Sequence, residues 1–165
     1  MFERVFVAFD GSPESRQACE VAIEIAGRFH SALTVGTVHP PTRDATDGHL
    51  ESLVPFDSSG KSLAVIIDEF RSTARARGAA SLEPVFLQGD DVVPALLDHL
   101  RSQSYDLAVT GSRGLSRGQR LLLGSVSAGL VGDAPCPVLV VKVPKGRAAR
   151  AGPPAARGGE SRPKA

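Results

Sequence analysis

The chain has 165 residues, of which 42% are hydrophobic and 22% charged, which is ordinary for one globular domain with its own core. Its net charge of +1 is uneven, because residues 145–165 hold six basic side chains and one acidic one. A mildly acidic body argues against a nucleic-acid-binding domain, and no apolar run approaches the 18 residues of a membrane span. The start of the chain lacks the pattern of an export signal, so the expected location is the cytoplasm.

The first 40 residues predict a strand, a helix and a second strand. Residues 5–9 form an apolar run that ends at Asp10-Gly11, and Ser12-Pro13 is typical of a helix N-cap followed by its first residue. Residues 33–38 predict the second strand. The apolar face of the helix is predicted from residues at helical spacing, namely Ala18, Val21, Ala22, Ile25 and Ala26.

The middle of the chain predicts a long loop, two helices and a strand. Residues 40–60 show no periodicity and predict the loop. A helix follows from residue 63 to about Gly78, and residues 85–87 predict a strand that Pro84 places at a sheet edge. Asp90 or Asp91 is expected to cap the next helix, whose apolar face is Val93, Leu96, Leu97 and Leu100.

The last third predicts two more strands, at 106–110 and 138–141, around a helix that runs to about residue 131. Ser125 is expected to cap that helix. From residue 146 the chain is rich in Gly, Pro, Ala and Arg without an apolar face, which predicts a disordered basic tail.

Strands that alternate with helices, and that are apolar throughout, predict a parallel sheet with helices on both faces. In such sheets, ligands bind beyond the carboxyl ends of the strands, where the strand order reverses. Asp10 ends the first strand and Gly111 ends the fourth. If these strands are neighbours, both residues face one crevice.

A glycine loop lies between the fourth strand and the fourth helix. Gly111, Gly114, Gly124 and Ser125 fit the spacing G-x2-G-x9-G-[S/T]. Glycine allows the backbone to approach a ligand closely, and the first N–H groups of a helix favour an anion. The loop therefore predicts phosphate binding. The alternative is that it is only a structural turn.

This loop resembles the nucleotide-binding motif of the universal stress protein family, in its ATP-binding branch. Residues 5–12, 105–114 and 136–141 also resemble the family's first strand with its Asp-Gly-Ser turn, its fourth strand and its last strand. The resemblance covers about residues 1–143, without the 40–60 loop. It implies a Rossmann-like, five-stranded parallel sheet of order 3-2-1-4-5, a domain over 1–144 and a tail over 145–165.

The resemblance also implies the role of each site residue. Asp10 would hold the adenosine end of ATP, and the backbone of Val38 would line the adenine pocket. The ribose and phosphates would be held by the loop residues Gly111, Gly114, Gly124 and Ser125. Arg113 and Arg117 lie inside the loop, and their guanidinium groups suit charge-assisted contacts to phosphate. Mg²⁺ is expected to enter with the nucleotide.

The implied function is a cytoplasmic ATP-binding protein of stress response or signalling. Because no nearby residue stands out as a base that activates water, hydrolysis is expected to be slow at most. The alternatives are a weak ATPase and an interaction scaffold that binds no nucleotide. For Asp10, the alternative role is simply to close a turn.

A homodimer is expected through the strand at 138–143. In the implied strand order this apolar strand is an edge, and an exposed apolar edge is a template for pairing with a second copy. The alternative is a monomer whose edge is guarded by Lys142, Pro144 and the basic tail. Neither a membrane nor a nucleic acid is expected as a partner.

Other chemical sites are not predicted. Gly60-Lys61-Ser62 lacks the earlier glycine of a P-loop, since position 55 is Pro. The cysteines, Cys19 and Cys136, are expected to be buried free thiols. None of the four histidines has metal-ligand spacing.

Overall fold

The computed structural model describes residues 2–40, 61–113 and 123–143. Strands and helices alternate along these residues, as the hydrophobic pattern predicts. The predicted loop beyond residue 40 and the predicted tail lie outside this part of the chain. The elements are β1 (Arg4–Ala8), α1 (Pro13–Phe29), β2 (Ala32–His39), α2 (Leu63–Arg77), β3 (Ser81–Gln88), α3 (Val92–Gln103), β4 (Leu107–Gly111), α4 (Ser125–Asp133) and β5 (Val138–Val141).

The five strands form one parallel sheet in the order β3-β2-β1-β4-β5, which confirms the predicted fold class. β1 lies at the centre, and its residues 5–8 are buried on both faces of the sheet. Val5 and Val7 join a core with α1 and α2, while Phe6 and Ala8 join a second core with α3 and α4. Apolar side chains on both sides of the strand explain why β1 shows no alternation in the sequence.

The helix ends follow the signals in the sequence. Ser12 is the N-cap of α1, and its Oγ accepts the N–H of Ser15 at 3.1 Å, with Pro13 as the first helical residue. Gly78 ends α2 in the left-handed conformation, with φ +89°. These local signals therefore place the first two helices correctly.

The buried face of α1 differs from the predicted one. Cys19 and Ile23 are buried, whereas Val21 and Ile25 are only half-buried. The reason is that α1 packs against α2 as well as against the sheet. A Cβ at Gly27 would lie 2.4 Å from the carbonyl oxygen of Arg77, so the two helices approach closely there. Because α1 packs on both the sheet and α2, its buried face differs from the single stripe that the spacing predicts.

β3 is an edge strand, as Pro84 predicts, but it is longer than residues 85–87. The N–H of Gly89 donates to the carbonyl of His39. The backbone N–H and C=O groups of the odd-numbered residues of β3 therefore face β2. The ring nitrogen of Pro84 therefore faces the open edge, where no ladder hydrogen bond is lost.

Within the residues that the structure describes, no helix is long and apolar enough to cross a membrane.

Candidate functional site

A cavity of about 700 Å³ opens at the carboxyl ends of the central strands. β1 pairs with β2 on one side and with β4 on the other, so the strand order reverses between β1 and β4. This is the position at which open parallel sheets bind ligands. The expectation that the first and fourth strands are neighbours is confirmed.

The cavity brings together the predicted site residues that the structure describes. They are Asp10, Val38, Gly111, Arg113, Gly124 and Ser125, and all of them line its wall. Gly114 and Arg117 lie outside the described residues. Three separate segments of the chain thus meet around one space, although the roles of these residues in binding remain predictions.

A turn after β1 holds Asp10 at the cavity. Asp10 Oδ1 accepts the N–H of Ser12 at 3.0 Å, and the N–H of Asp10 donates to Ser15 Oγ at 3.4 Å. Gly11 supplies the positive φ of +79° that this turn requires. The carboxylate therefore does close a turn, which was one of its two expected roles, and the same turn directs it to the cavity wall.

Val38 presents its peptide group to the same cavity. The N–H of Phe9 donates to the carbonyl of Gly36 at 2.8 Å, so the backbone of Gly36 faces β1. Backbone direction repeats every two residues along a strand, so the peptide of Val38 faces the same way. The register between β1 and β2 ends at Ala8 and Gly36. Val38 thus lies beyond the paired part of β1, where a planar base could take the place of the missing strand.

The start of α4 corrects one prediction. Gly124 is the N-cap and Ser125 is the first helical residue, so Ser125 does not cap the helix. A glycine cap has no side chain to accept the first N–H groups, and within the described residues α4 has no side-chain cap hydrogen bond. These groups are therefore available to an anion, and the Ser125 side chain stands beside them at the cavity.

Gly111 has a packing reason to be glycine in addition to its predicted role in binding. A Cβ at this position would lie 2.8 Å from the carbonyl carbon of Glu14. The end of β4 therefore packs directly on the first turn of α1. The missing side chain here serves packing between elements, while the role of Gly111 in holding the ribose and phosphates stays a prediction.

The first turn of α3 also lines the cavity, and sequence reasoning missed it. The cavity wall includes Asp90, Asp91 and Val92–Pro94. Asp91 occupies the N-cap position of α3 without a side-chain cap hydrogen bond. The place of this turn follows from the strand directions, because α3 starts where β3 ends and all parallel strands have their carboxyl ends at one edge of the sheet. The carboxylates of Asp10, Asp90 and Asp91 here outnumber the one described guanidinium, that of Arg113.

The clear pKa shifts in the described residues belong to groups outside the cavity wall. Burial raises the pKa of the Cys19 thiol, which is inert in the first core, and the half-buried Cys136 thiol is shifted in the same direction. Burial also lowers the pKa of His99, whose ring nitrogen contacts Tyr105 Oη at 3.0 Å.

No cluster of three metal-binding side chains occurs in residues 2–40, 61–113 and 123–143.

Comparison with known proteins identifies the class of protein that this fold and cavity define. The chain matches the model of the universal stress protein family over residues 1–142. It therefore belongs to the universal stress protein family, as the glycine loop and the strand motifs predict.

Individual relatives agree with this assignment. The stress response protein NhaX of Bacillus subtilis (strain 168) is 33% identical over 163 residues, which covers 85% of this chain and 98% of the relative. A universal stress protein of Thermus aquaticus is 30% identical, over 86% of this chain and all of the relative. A crystal structure of a universal stress protein in complex with cAMP is 28% identical, with a TM-score of 0.68 over 85% of this chain and 97% of that one.

Proposed function

We propose that the cavity binds an adenine nucleotide, ATP with Mg²⁺, and that this protein acts in stress response or signalling from the cytoplasm through its nucleotide-bound state. The observation that carries the proposal is the meeting of Asp10, the Val38 peptide and the start of α4 around one cavity. A nucleotide has a planar base at one end and phosphates at the other, and this arrangement suits both ends.

The base end of the proposed site lies between β1 and β2. The Val38 peptide offers one N–H and one C=O to the edge of a base, beyond the last pair of the ladder. Asp10, on the turn after β1, lines the same cavity. Adenine carries both a donor and acceptors on its edge, so it can pair with a peptide group in this way.

The phosphate end lies at the start of α4. Arg113, Gly124 and Ser125 line the cavity, and they supply a guanidinium, the first N–H groups of α4 and a hydroxyl. Each of these groups favours an anion. Mg²⁺ is proposed to enter on the phosphates, because magnesium commonly binds substrate phosphates with few protein ligands.

ATP is proposed on the strength of the G-x2-G-x9-G-S spacing from Gly111 to Ser125, and a nucleotide in general is supported by the relative in complex with cAMP. Mass spectrometry of protein purified under native conditions tests the proposal. We expect an additional mass of an adenine nucleotide. A native mass spectrum that shows no nucleotide-bound species while Mg-ATP is present in excess would oppose the proposal.

We also propose a homodimer through β5. The N–H of Ala108 donates to the carbonyl of Pro137, and the N–H of Ser112 donates to that of Val141. The backbones of residues 137, 139 and 141 therefore face β4, while those of Val138 and Val140 face the open edge. This edge carries no outward-facing proline, whereas the edge at β3 is interrupted by Pro84. β5 is thus the edge that suits pairing with a second copy.

A further inference from the structure

Ser127 is a buried serine in the first turn of α4 whose hydroxyl has no part in the glycine motif. Its side chain is 1% exposed, yet the residue contributes to the cavity wall beside Gly124 and Ser125. A hydroxyl with so little contact with water requires a protein partner. Its partners are two carbonyl groups that belong to different parts of the proposed phosphate site.

The Ser127 hydroxyl lies 2.9 Å from the carbonyl oxygen of Gly124 and 3.3 Å from that of Ser112. Its single proton is therefore shared between the cap of α4 and the residue that follows β4. The same Ser112 carbonyl accepts the N–H of Gly124 at 2.8 Å, and the N–H of Ser112 donates to Val141. Ser112 thus holds the start of α4 to the end of the sheet.

Removal of the hydroxyl would not leave either carbonyl without a donor. The Gly124 carbonyl also accepts the N–H of Ala128 at 2.9 Å, and the Ser112 carbonyl retains the N–H of Gly124. The fold does not depend on the Ser127 hydroxyl for satisfied polar groups. Its particular effect is to tie the first turn of α4 to Ser112 and so to fix the direction of the uncapped N–H groups.

We propose that Ser127 is a positioning residue that aims the first N–H groups of α4 at the phosphates of the nucleotide, an inference that rests on the proposed ATP site. A helix start with a glycine cap is held only by its backbone, and the buried hydroxyl supplies the side-chain restraint that the cap lacks. The base end, at Asp10 and Val38, lies on other elements and does not need this restraint.

Isothermal titration calorimetry of Ser127→Ala with Mg-ATP and, separately, with adenosine tests the proposal. We expect ATP to bind about tenfold more weakly than to the unmodified chain, since one hydrogen bond is worth about that factor. Adenosine, which lacks the phosphates, should lose clearly less affinity than ATP. Ser127→Thr, which keeps the hydroxyl, should restore most of the ATP affinity.

Ser31→Ala provides the matched control. Ser31 is also fully buried, and its hydroxyl also donates to a backbone carbonyl, that of Phe2, but it precedes β2 at the opposite end of the sheet. This variant should keep the ATP affinity even where it lowers the melting temperature. Unchanged ATP affinity in Ser127→Ala, or equal losses for ATP and adenosine, would overturn the inference while leaving the nucleotide site standing. An unmodified chain that binds neither ligand would remove the proposed function itself.

Discussion

Single residues decide whether the glycine loop is a binding loop or a turn. Gly111 has a packing reason to be glycine, because a Cβ there would meet the backbone of Glu14. Gly114 lies outside the described residues. In the motif it is the position at which the backbone is expected to approach phosphate, so a substitution there tests binding most directly.

Gly114→Val should abolish the stabilisation by ATP and leave the ligand-free melting temperature nearly unchanged. A side chain at this position of the motif would block the approach to phosphate. Gly111→Ala should lower the ligand-free melting temperature, because its Cβ would meet the backbone of Glu14. Thermal melting with and without Mg-ATP measures both effects. A folded Gly114→Val protein with an unchanged response to ATP would mean that the loop is only a turn.

Asp106 is the residue whose charge links stability to pH. Its Oδ2 accepts the N–H groups of Glu3 at 2.8 Å and Arg4 at 2.9 Å, and these backbone hydrogen bonds lower its pKa. Because the folded pKa lies below the unfolded one, the ionised carboxylate stabilises the fold above the unfolded pKa. This contribution is lost as pH falls through the folded pKa.

Asp106→Asn should therefore lower the free energy of unfolding at pH 7, and its difference from the unmodified chain should be smaller at pH 3, which lies below the unfolded pKa of about 3.9. Urea unfolding at the two pH values measures this. Asp98→Asn, on the exposed side of α3, is the control and should have little effect at either pH. A difference that stays constant from pH 7 to pH 3 would contradict the role of the charge.

Elements meet closely where α3 packs on α4. A Cβ at Gly129 would lie 2.6 Å from Cγ1 of Val93, a stiff side chain in the first turn of α3. Gly129→Ala should therefore lower the free energy of unfolding by about 1–2 kcal/mol, despite the better helix propensity of alanine. Gly132→Ala, with nothing within 4 Å of its Cβ, is the control and should stabilise by about 0.5–1 kcal/mol.

Chemical denaturation of the two variants measures both free energies. The opposite signs depend only on the different surroundings of two glycines in one helix. Equal stabilisation by both substitutions would mean that α3 and α4 are not in close contact at Gly129.

The edge of β5 carries the proposed dimer. Val140→Pro removes an N–H that faces the open edge and leaves the ladder to β4 intact, so it should convert the dimer to a monomer. Gln88→Pro removes an outward-facing N–H from the β3 edge and should not change the mass. Analytical ultracentrifugation at micromolar concentration measures the mass. An unmodified chain that sediments as a monomer, or a Val140→Pro protein that remains dimeric, would contradict the proposal.

Local chemistry explains which elements could be predicted from the sequence. Ser12-Pro13 and Gly78 mark helix ends through the conformations that these residues favour, and Pro84 marks an edge through its missing N–H. The predicted N-cap of α4 was wrong because serine and glycine are both common N-cap residues, and Gly124 and Ser125 are adjacent there. Local preference alone does not choose between them.

The candidate site could be predicted only in part, for a physical reason. Asp10 and the glycine loop have motifs, and the family resemblance implied the strand order that brings them together. The first turn of α3 and the buried Ser127 carry no motif of their own. Their place at the cavity depends on how α3 and α4 pack, through contacts such as Gly129 with Val93, and periodicity within one helix contains no information on that packing.

At the scale of the whole molecule, the parallel sheet places the carboxyl ends of all five strands at one edge, and the first turns of α1, α3 and α4 line the cavity there. The reversal of strand order between β1 and β4 opens a cavity there, and α3 and α4 close one side of it. The opposite edge is closed by local hydrogen bonds, such as those of Asp106 with the start of β1. The proposed binding site therefore lies at the carboxyl edge of the sheet, and these structural hydrogen bonds lie at the opposite edge.

The measurement that tests the central proposal most directly is isothermal titration calorimetry of the unmodified chain with Mg-ATP, with Mg-GTP as the control. We expect one ATP per chain with a Kd in the micromolar range, and much weaker binding of GTP. At about 100 times its Kd, ATP should also raise stability by about 2.7 kcal/mol, or about 5–10 °C in Tm. The absence of saturable heat at millimolar Mg-ATP, in nucleotide-free protein, would contradict the proposal that the cavity is a nucleotide site.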